Sequence, residues 1–236
     1  MNCIVVREDK KKLSFKITEV KGDRFLILKI SGFYKFMAGK LLKRINKKRI
    51  LNVAFDNNIP REFAEQFQGK VNIIKNEEIL FANIDKIILK AAATLGIKDG
   101  KLNLGIVTGY KTDVLFKKLR NLRKKIKTLT VYTDSREVYD EYAELYYKET
   151  GIPVVIKKTS ETGGCDILVY LKKESDNNIK YCGRVIDIFS KTDTSAIRDV
   201  TLKFDKNKNN FNVSDGVFCK LIDAPFEIKG FITKNT

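Results

Sequence analysis

The chain has 236 residues, enough to bury a substantial core as one main α/β domain with extensions, and its hydrophobic fraction of 43% is that of a globular protein. Its 46 Lys and Arg against 29 Asp and Glu leave a net charge of +17, and it contains no histidine. That absence excludes a Ser-His-Asp triad, a Cys-His pair, a histidine zinc site and a histidine proton shuttle within the chain. Any catalysis rests on carboxylates, Lys, Tyr, Cys or a bound cofactor. No run of about 18 apolar residues exists to span a bilayer. The start Met1-Asn2-Cys3-Ile4-Val5-Val6 meets Arg7, Glu8 and Asp9 without the basic start and longer apolar core of a secretory signal. The expectation is a cytoplasmic protein with no membrane partner. The basic excess is either lysine-rich composition, as an A/T-rich genome would give, or a means of meeting a polyanion such as nucleic acid. Cys3, Cys165, Cys182 and Cys219 show no C-x-x-C spacing and read as free, mostly buried thiols.

Residues 2–31 read as three strands of a small antiparallel sheet. Leu13, Phe15 and Ile17 alternate with Ser14, Lys16 and Thr18, and the turn Lys21-Gly22-Asp23 precedes the apolar run 25–30. A helix is expected over 33–49, closing on Lys43, Arg44, Lys47, Lys48 and Arg49, cations that suit the negative end of a helix dipole. The strand 50–55 runs into Asp56-Asn57-Asn58, with Pro60 where a first helical turn accepts it, and 71–74 forms the next strand. Leu80, Ile84, Ile87, Ile88, Ala91 and Leu95 repeat at helical spacing over 79–95, the most buried helix expected, and Gly96 supplies its stop.

Residues 102–171 carry, in order, a strand, a glycine-bounded turn, a helix, a strand ending in Thr133-Asp134-Ser135, a second helix and two more strands. This is the order of a doubly wound, mostly parallel α/β sheet, whose ligand crevice opens at the carboxyl ends of its strands. The first helix, expected over 112–127, buries Leu115, Leu119, Leu122 and Ile126 and carries Lys117, Lys118, Arg120, Arg123, Lys124, Lys125 and Lys127. The second is acidic and tyrosine-rich, with Glu137, Asp140, Glu141 and Glu144 beside Tyr139, Tyr142, Tyr146 and Tyr147. The basic face is either solvated or a track for phosphates, and the opposite charges either complement each other or drive self-association. After a solvated loop, 184–189 is a strand, and 200–204 and 213–221 read as strands of a β-rich C-terminal extension on the sheet edge. The expected division is an N-terminal β-rich appendage over 1–45, an α/β core over 46–190 and the extension over 191–236.

The first candidate site is Gly105-Ile106-Val107-Thr108-Gly109-Tyr110-Lys111-Thr112-Asp113. A strand entering a tight turn at Gly109, with a helix starting near Thr112 or Asp113, aims unpaired backbone N–H groups at the crevice, which suits an anionic ligand. Lys111 adds a counter-charge, and Asp134 closes the next strand about 25 residues on, near where dinucleotide-binding folds place an acid. On these residues the stretch 102–171 resembles a Rossmann-type nucleotide-binding domain. The resemblance implies NAD or NADP held near Gly105, Thr108, Gly109, Lys111 and Thr112, with Asp134 on the ribose hydroxyls. Ser135 and Arg136 look like the polar pair that meets a 2′-phosphate in NADP-binding relatives. Against the G-x-G-x-x-G pattern only Gly105 and Gly109 stand here, and Gly105 lies inside the strand. The alternative is that Asp134 and Ser135 cap the helix from Arg136. Hydride transfer would need a proton donor, for which Tyr110 or Lys111 are the available groups.

Thr162-Gly163-Gly164-Cys165-Asp166 either brings backbone close to a ligand or is an ordinary connection to a buried strand, and Cys165 would be a nucleophile only with a lowered pKa. Asp187 interrupts the apolar run 185–189, either at a strand end facing solvent, the favoured case, or as a buried acid fit for general-base work. Asp56 would open into the same crevice if its strand runs parallel to the others. No metal site is expected. Three functions remain in view: a Rossmann-like protein binding a nucleotide or another small anion, a degenerate oxidoreductase-like domain at best; a non-enzymatic nucleic-acid-binding module using the 112–127 face and the 43–49 cluster; and a structural or regulatory protein forming a homo-oligomer through its paired helices.

Overall fold

The computed structural model describes residues 1–7, 14–20, 23–30, 37–109, 112–161, 164–171, 183–188, 197–203 and 212–233. The chain forms two compact units, Met1–Ile79 with Leu202–Glu227, and Leu80–Thr201 with Ile228–Thr236.

The first unit opens with β1 (Asn2–Arg7), β2 (Ser14–Val20), β3 (Asp23–Ile30), α1 (Ala38–Lys47), β4 (Asn52–Phe55), α2 (Arg61–Glu65) and β5 (Asn72–Ile73), and its sheet runs β2-β3-β1-β4-β5. The expected antiparallel pairing is present in the β2–β3 hairpin. β1 instead runs parallel to both β3 and β4, and β4 parallel to β5. Cys3, Ile4 and Val5 are fully buried, which is how a parallel strand covered on both faces reads: as a continuous apolar run. On one face Ala38, Leu41 and Ile45 of α1 and Phe63 of α2 pack against Cys3, Val5, Leu26, Leu28 and Val53. Asn2, Asn52 and Asn72 lie in register; Asn52 Nδ2 donates to Asn2 Oδ1 at 3.0 Å and Asn72 Nδ2 to Asn52 Oδ1 at 2.5 Å. A one-residue slip would break both bonds, so this amide ladder pins the register. Because β4 and β5 find their partners here, the first division of the chain falls at Ile79 and not at the expected residue 45.

Next come α3 (Asn76–Ala82) and α4 (Ile84–Thr94), where one helix was expected over 79–95. Asn83, at φ −116° and ψ 22°, breaks the ladder between them. Leu80, Ile84, Ile87, Ile88 and Ala91 are buried as the periodicity requires, but Leu95 falls at the cap and is 42% exposed. Gly96 then takes φ +68°, the left-handed geometry of a helix stop. The elements that follow are β6 (Leu102–Val107), α5 (Thr112–Leu119), a 3-10 turn (Arg120–Leu122), β7 (Ile126–Tyr132), α6 (Arg136–Thr150), β8 (Val154–Lys157), β9 (Ile167–Tyr170), β10 (Arg184–Asp187) and β11 (Ile197–Leu202). The helix expected over 112–127 thus ends at Leu119; Ile126 is buried, but as the first residue of β7.

The chain closes with α7 (Asp215–Leu221) and β12 (Ile228–Thr233). The strand expected over 213–221 is this helix. Ser214 caps it, accepting from Val217 N at 3.2 Å and donating to Asn76 Oδ1 at 2.6 Å, while Val217, Phe218 and Leu221 pack on Ile4, Phe25 and Ala54 of the five-stranded sheet. Of the C-terminal elements, α7 belongs to the first unit, and β12 extends the sheet of the second.

That sheet runs β12-β11-β10-β9-β6-β7-β8, and every neighbouring pair from β11 to β8 is parallel. Counted from β6 as the first strand, the order is 3-2-1-4-5-6, that of doubly wound dinucleotide-binding sheets, with β12 added at one edge. Right-handed crossovers place α5 and α6 on the same face, and α4 joins that layer by packing on α5 and β9.

Candidate functional site

The strand order reverses between β6 and β9, and the crevice of such a sheet lies there, beyond the carboxyl ends. At the end of β6, Thr108 is buried; its N–H donates to Tyr132 O at 3.1 Å, and Tyr139 OH donates to its Oγ1 at 3.5 Å. Gly109 is exposed at the mouth, and Thr112 opens α5 with Asp113 in the first turn. Tyr110 and Lys111 lie outside the described residues. Gly105 sits lower, inside β6. A Cβ there would come within 2.7 Å of Cys165 Sγ, 2.8 Å of Leu168 Cδ1 and 3.2 Å of Tyr132 Cε2, so the glycine makes room for neighbouring side chains.

The structure brings Asp134, Ser135 and Arg136 to the end of β7, next to β6, and leaves all three exposed. Asp134 Oδ1 accepts from Thr159 Oγ1 at 2.5 Å, across from the end of β8. Ser135 stands at the N-cap of α6 without a side-chain cap bond; its own N–H donates to Thr133 Oγ1 at 3.2 Å. Arg136 lies 3.6 Å from Asp140 one turn on, an exposed pair that holds it loosely. Ser135, at the cap position of the competing reading, does not cap the helix through its side chain.

Below the rim, Tyr132, Val107, Tyr170 and Asp187 occupy matched positions on β7, β6, β9 and β10. Side chains so paired face the same side of a sheet. Val107, Tyr132, Leu168, Tyr170 and Val185 form a buried cluster there with Cys165 against them. Tyr132 and Tyr170 are 1% and 4% exposed, and neither hydroxyl has a hydrogen bond to a described residue. Burial, then the nearby Cys165, Glu161 and Tyr170, pushes the Tyr132 phenol up to about 12. Burial, then Asp187 and Cys165, raises that of Tyr170. Asp187 itself is 2% exposed, buried at the end of β10 and not facing solvent. The two tyrosines were missed in the sequence because only the strand order sets them either side of Val107.

Other candidates lie elsewhere. Asp56 ends β4 in the five-stranded sheet, not at this crevice, and accepts from Asn58 N at 2.8 Å and Asn212 N at 3.1 Å. Asp166 Oδ2 accepts from Asn103 N at 2.7 Å and Nδ2 at 3.1 Å at the amino end of the second sheet, opposite the crevice. Gly164 has nothing within 4 Å of its Cβ position, while Thr162 and Gly163 lie outside the described residues. Cys3, Cys165 and Cys219 form no disulfide, and burial raises the Cys3 thiol to about 12; Cys182 lies outside the described residues. The basic stretch does not form one helical face. Lys118 donates to Ala82 O at 2.6 Å, Arg120 pairs with Glu149 at 2.7 Å and Lys125 pairs with Asp99. Lys117, Arg123, Lys124 and Lys127 remain exposed, spread over α5, a turn and β7.

No protein-family model matches the chain, and no curated protein sequence matches it significantly. Among solved structures it is similar to a Trypanosoma cruzi protein described as an aspartate carbamoyltransferase, at 8% identity and TM-score 0.34 over 78% of this chain and 69% of that one. It is also similar to the ligand-free 5-ketofructose reductase of Gluconobacter sp. strain CHM43, at 8% identity and TM-score 0.34 over 79% of each chain. A third is shikimate dehydrogenase 1 from Peptoclostridium difficile, at 12% identity and TM-score 0.31 over 83% of this chain and 80% of that one. Likeness this slight carries no statement about activity; the architecture rests on the strand order itself. Among the described residues, no helix is long and apolar enough to cross a membrane.

Proposed function

We propose that the unit Leu80–Thr201 with Ile228–Thr236 binds a nucleotide, NAD or NADP in the first instance, or another small anionic ligand at the carboxyl ends of β6 and β7, in a cytoplasmic setting. The observation that carries this reading is the all-parallel order from β11 to β8 with its switch between β6 and β9. In such a sheet the ligand's phosphates meet the amides after the first strand, and its ribose meets the end of the second. The phosphate side falls to Thr108, the exposed Gly109, Lys111 and the opening of α5 at Thr112. Asp134, oriented by Thr159, offers a carboxylate with lone pairs enough for a ribose hydroxyl as well. On the same reading Ser135 and Arg136, exposed beside it, would meet the 2′-phosphate of NADP. No catalytic residue is assigned.

The test is a thermal-shift series with NAD, NADP, ATP, S-adenosylmethionine, inorganic phosphate and a DNA duplex, each at low and moderate salt. A nucleotide at about 100 times its dissociation constant should add roughly 2.7 kcal/mol, a rise of about 5–10 °C. Gly109→Val should abolish that rise while leaving the unliganded midpoint within about 2 °C, since Gly109 is exposed. A variant that binds normally would sink the proposal. A shift confined to DNA and lost at moderate salt would transfer the function to the basic residues as a nucleic-acid-binding module.

A further inference from the structure

We infer that the outer face of α1, with Phe15 and Ile17 of β2 beside it, binds a single strand of nucleic acid. From Arg24 to Phe55 the chain carries nine Lys and Arg and no Asp or Glu, and α1 lies within that stretch. Ala38, Leu41 and Ile45 face the core, so the cations fall on the other side of the helix. Lys40, Lys43 and Lys47 are exposed there, and their spacing of three and four residues stacks them in one row. Lys48 and Arg49 follow at the helix end, both exposed. Like charges at this spacing oppose helix formation, and no acid relieves them. Among the described residues, Lys40, Lys43, Arg44, Lys47, Lys48 and Arg49 have no ion pair. Glu65 of α2, which packs on the same face of the sheet, is taken by Arg61, and Glu62 forms no ion pair with α1. In the second unit, by contrast, Arg120, Lys125 and Lys148 each meet a carboxylate.

The edge strand next to this helix decides the occupant. β2 borders the five-stranded sheet, and Phe15 and Ile17 pair with Leu28 and Leu26, which pack in one cluster with α1. Paired residues share a face, so both apolar side chains project on the helix side, where they are 49% and 53% exposed. The Arg44 guanidinium lies over the Phe15 ring, 3.7 Å from its centroid, and joins the ring to the cations of the helix. Glu19, next on that face of β2, pairs with Arg24 at 3.9 Å. A row of unpaired cations tracks phosphates, and an exposed ring beside it takes a base that a single strand offers and a duplex keeps stacked inside. An anionic membrane surface does not fit this helix, because an interfacial helix inserts its apolar side and that of α1 already faces the core.

Fluorescence anisotropy of the full chain with a labelled oligothymidylate of about 20 nucleotides tests this. Contact with about four phosphates gives a slope of about −3 in log affinity against log salt, so binding should weaken on the order of 50-fold between about 50 and 200 mM salt. The triple variant Lys40→Gln, Lys43→Gln, Lys47→Gln should lose about tenfold or more at low salt and flatten that slope. Its thermal midpoint should hold or rise, because like charges are removed from the helix. Phe15→Ala should weaken single-strand binding about fivefold or more with the slope unchanged, and leave binding to a duplex of the same length as it was. Removing the same charge from the second unit, as Lys117→Gln, Arg123→Gln, Lys124→Gln, should change binding by less than about twofold, since exposed charges beyond a Debye length are screened. An oligonucleotide left unbound by about 100 µM chain at low salt would overturn the inference. So would equal losses from the two triple variants, which would make the contact one of overall charge, normal binding by Phe15→Ala, a duplex bound as tightly as the strand, or capture by phosphatidylserine vesicles without binding to the oligonucleotide.

Discussion

Gly105 carries no side chain in a row where β7 and β9 offer Thr130 and Leu168, and the space is taken by Cys165 and the Tyr132 ring. Gly105→Ala should therefore cost about 1–3 kcal/mol through overpacking, read from urea unfolding. Combined with Cys165→Ala, the loss should be smaller than the sum of the two single changes, because the closest contact is the thiol. Additive losses would place the strain elsewhere. The buried phenols give the molecule an alkaline limit. Tyr132 and Tyr146 are pushed up to about 12 from 10.0, and Cys3 to about 12 from 9.0, in each case chiefly by burial. Between the ordinary and the raised values the unfolded chain releases protons that the folded chain keeps, so the unfolded state binds fewer. Their contribution is complete below about pH 9 and is lost as the pH rises toward 12. The urea midpoint should hold from pH 7 to pH 9 and then fall, less steeply in Tyr132→Phe; a midpoint that rises across that range would contradict these environments.

At the scale of elements, Ser214 is the clearest single support of α7, bonded to Val217 N and to Asn76. Ser214→Ala should cost about 1–2 kcal/mol, measured by chemical denaturation, and Ser214→Thr should recover part of it. The same helix shows where local pattern misleads. Val213, Val217, Phe218, Cys219 and Leu221 make an apolar run that reads as a strand, although Ser214-Asp215-Gly216 is a helix-start signal in front of it. The 3.6-residue repeat of α4 and the continuous apolar strands β1, β6 and β9 were legible, because burial on one face or both writes itself into composition. The partner of each strand was not. Nothing in 50–55 says that β4 will choose β1 over β6, and that choice moved Asp56 away from the crevice. The end of α5 was hidden for a related reason: Ile126 continues the helical spacing of Leu115, Leu119 and Leu122 while starting β7.

At the scale of the whole molecule, the chain makes two units and each is discontinuous in sequence, because α7 packs on the five-stranded sheet while β12 joins the seven-stranded one. The candidate site belongs to the second unit. Thr108, Gly109, Asp134, Ser135 and Arg136, chosen from the sequence, do gather at the carboxyl ends of adjacent strands, since a strand-turn-helix order fixes which end a turn lies on. The Tyr132 and Tyr170 pair below them was beyond local reading, because it depends on β9 crossing to lie beside β6. The measurement that bears most directly on the central claim is a backbone-amide NMR titration of the full chain with NAD and with NADP. The account predicts saturable shifts at Thr108, Gly109, Asp113, Asp134 and Ser135, with Asn103 and Asp166 at the opposite end of the sheet unmoved. Spectra unchanged by either dinucleotide, or shifts centred on Asn103 and Asp166, would contradict it.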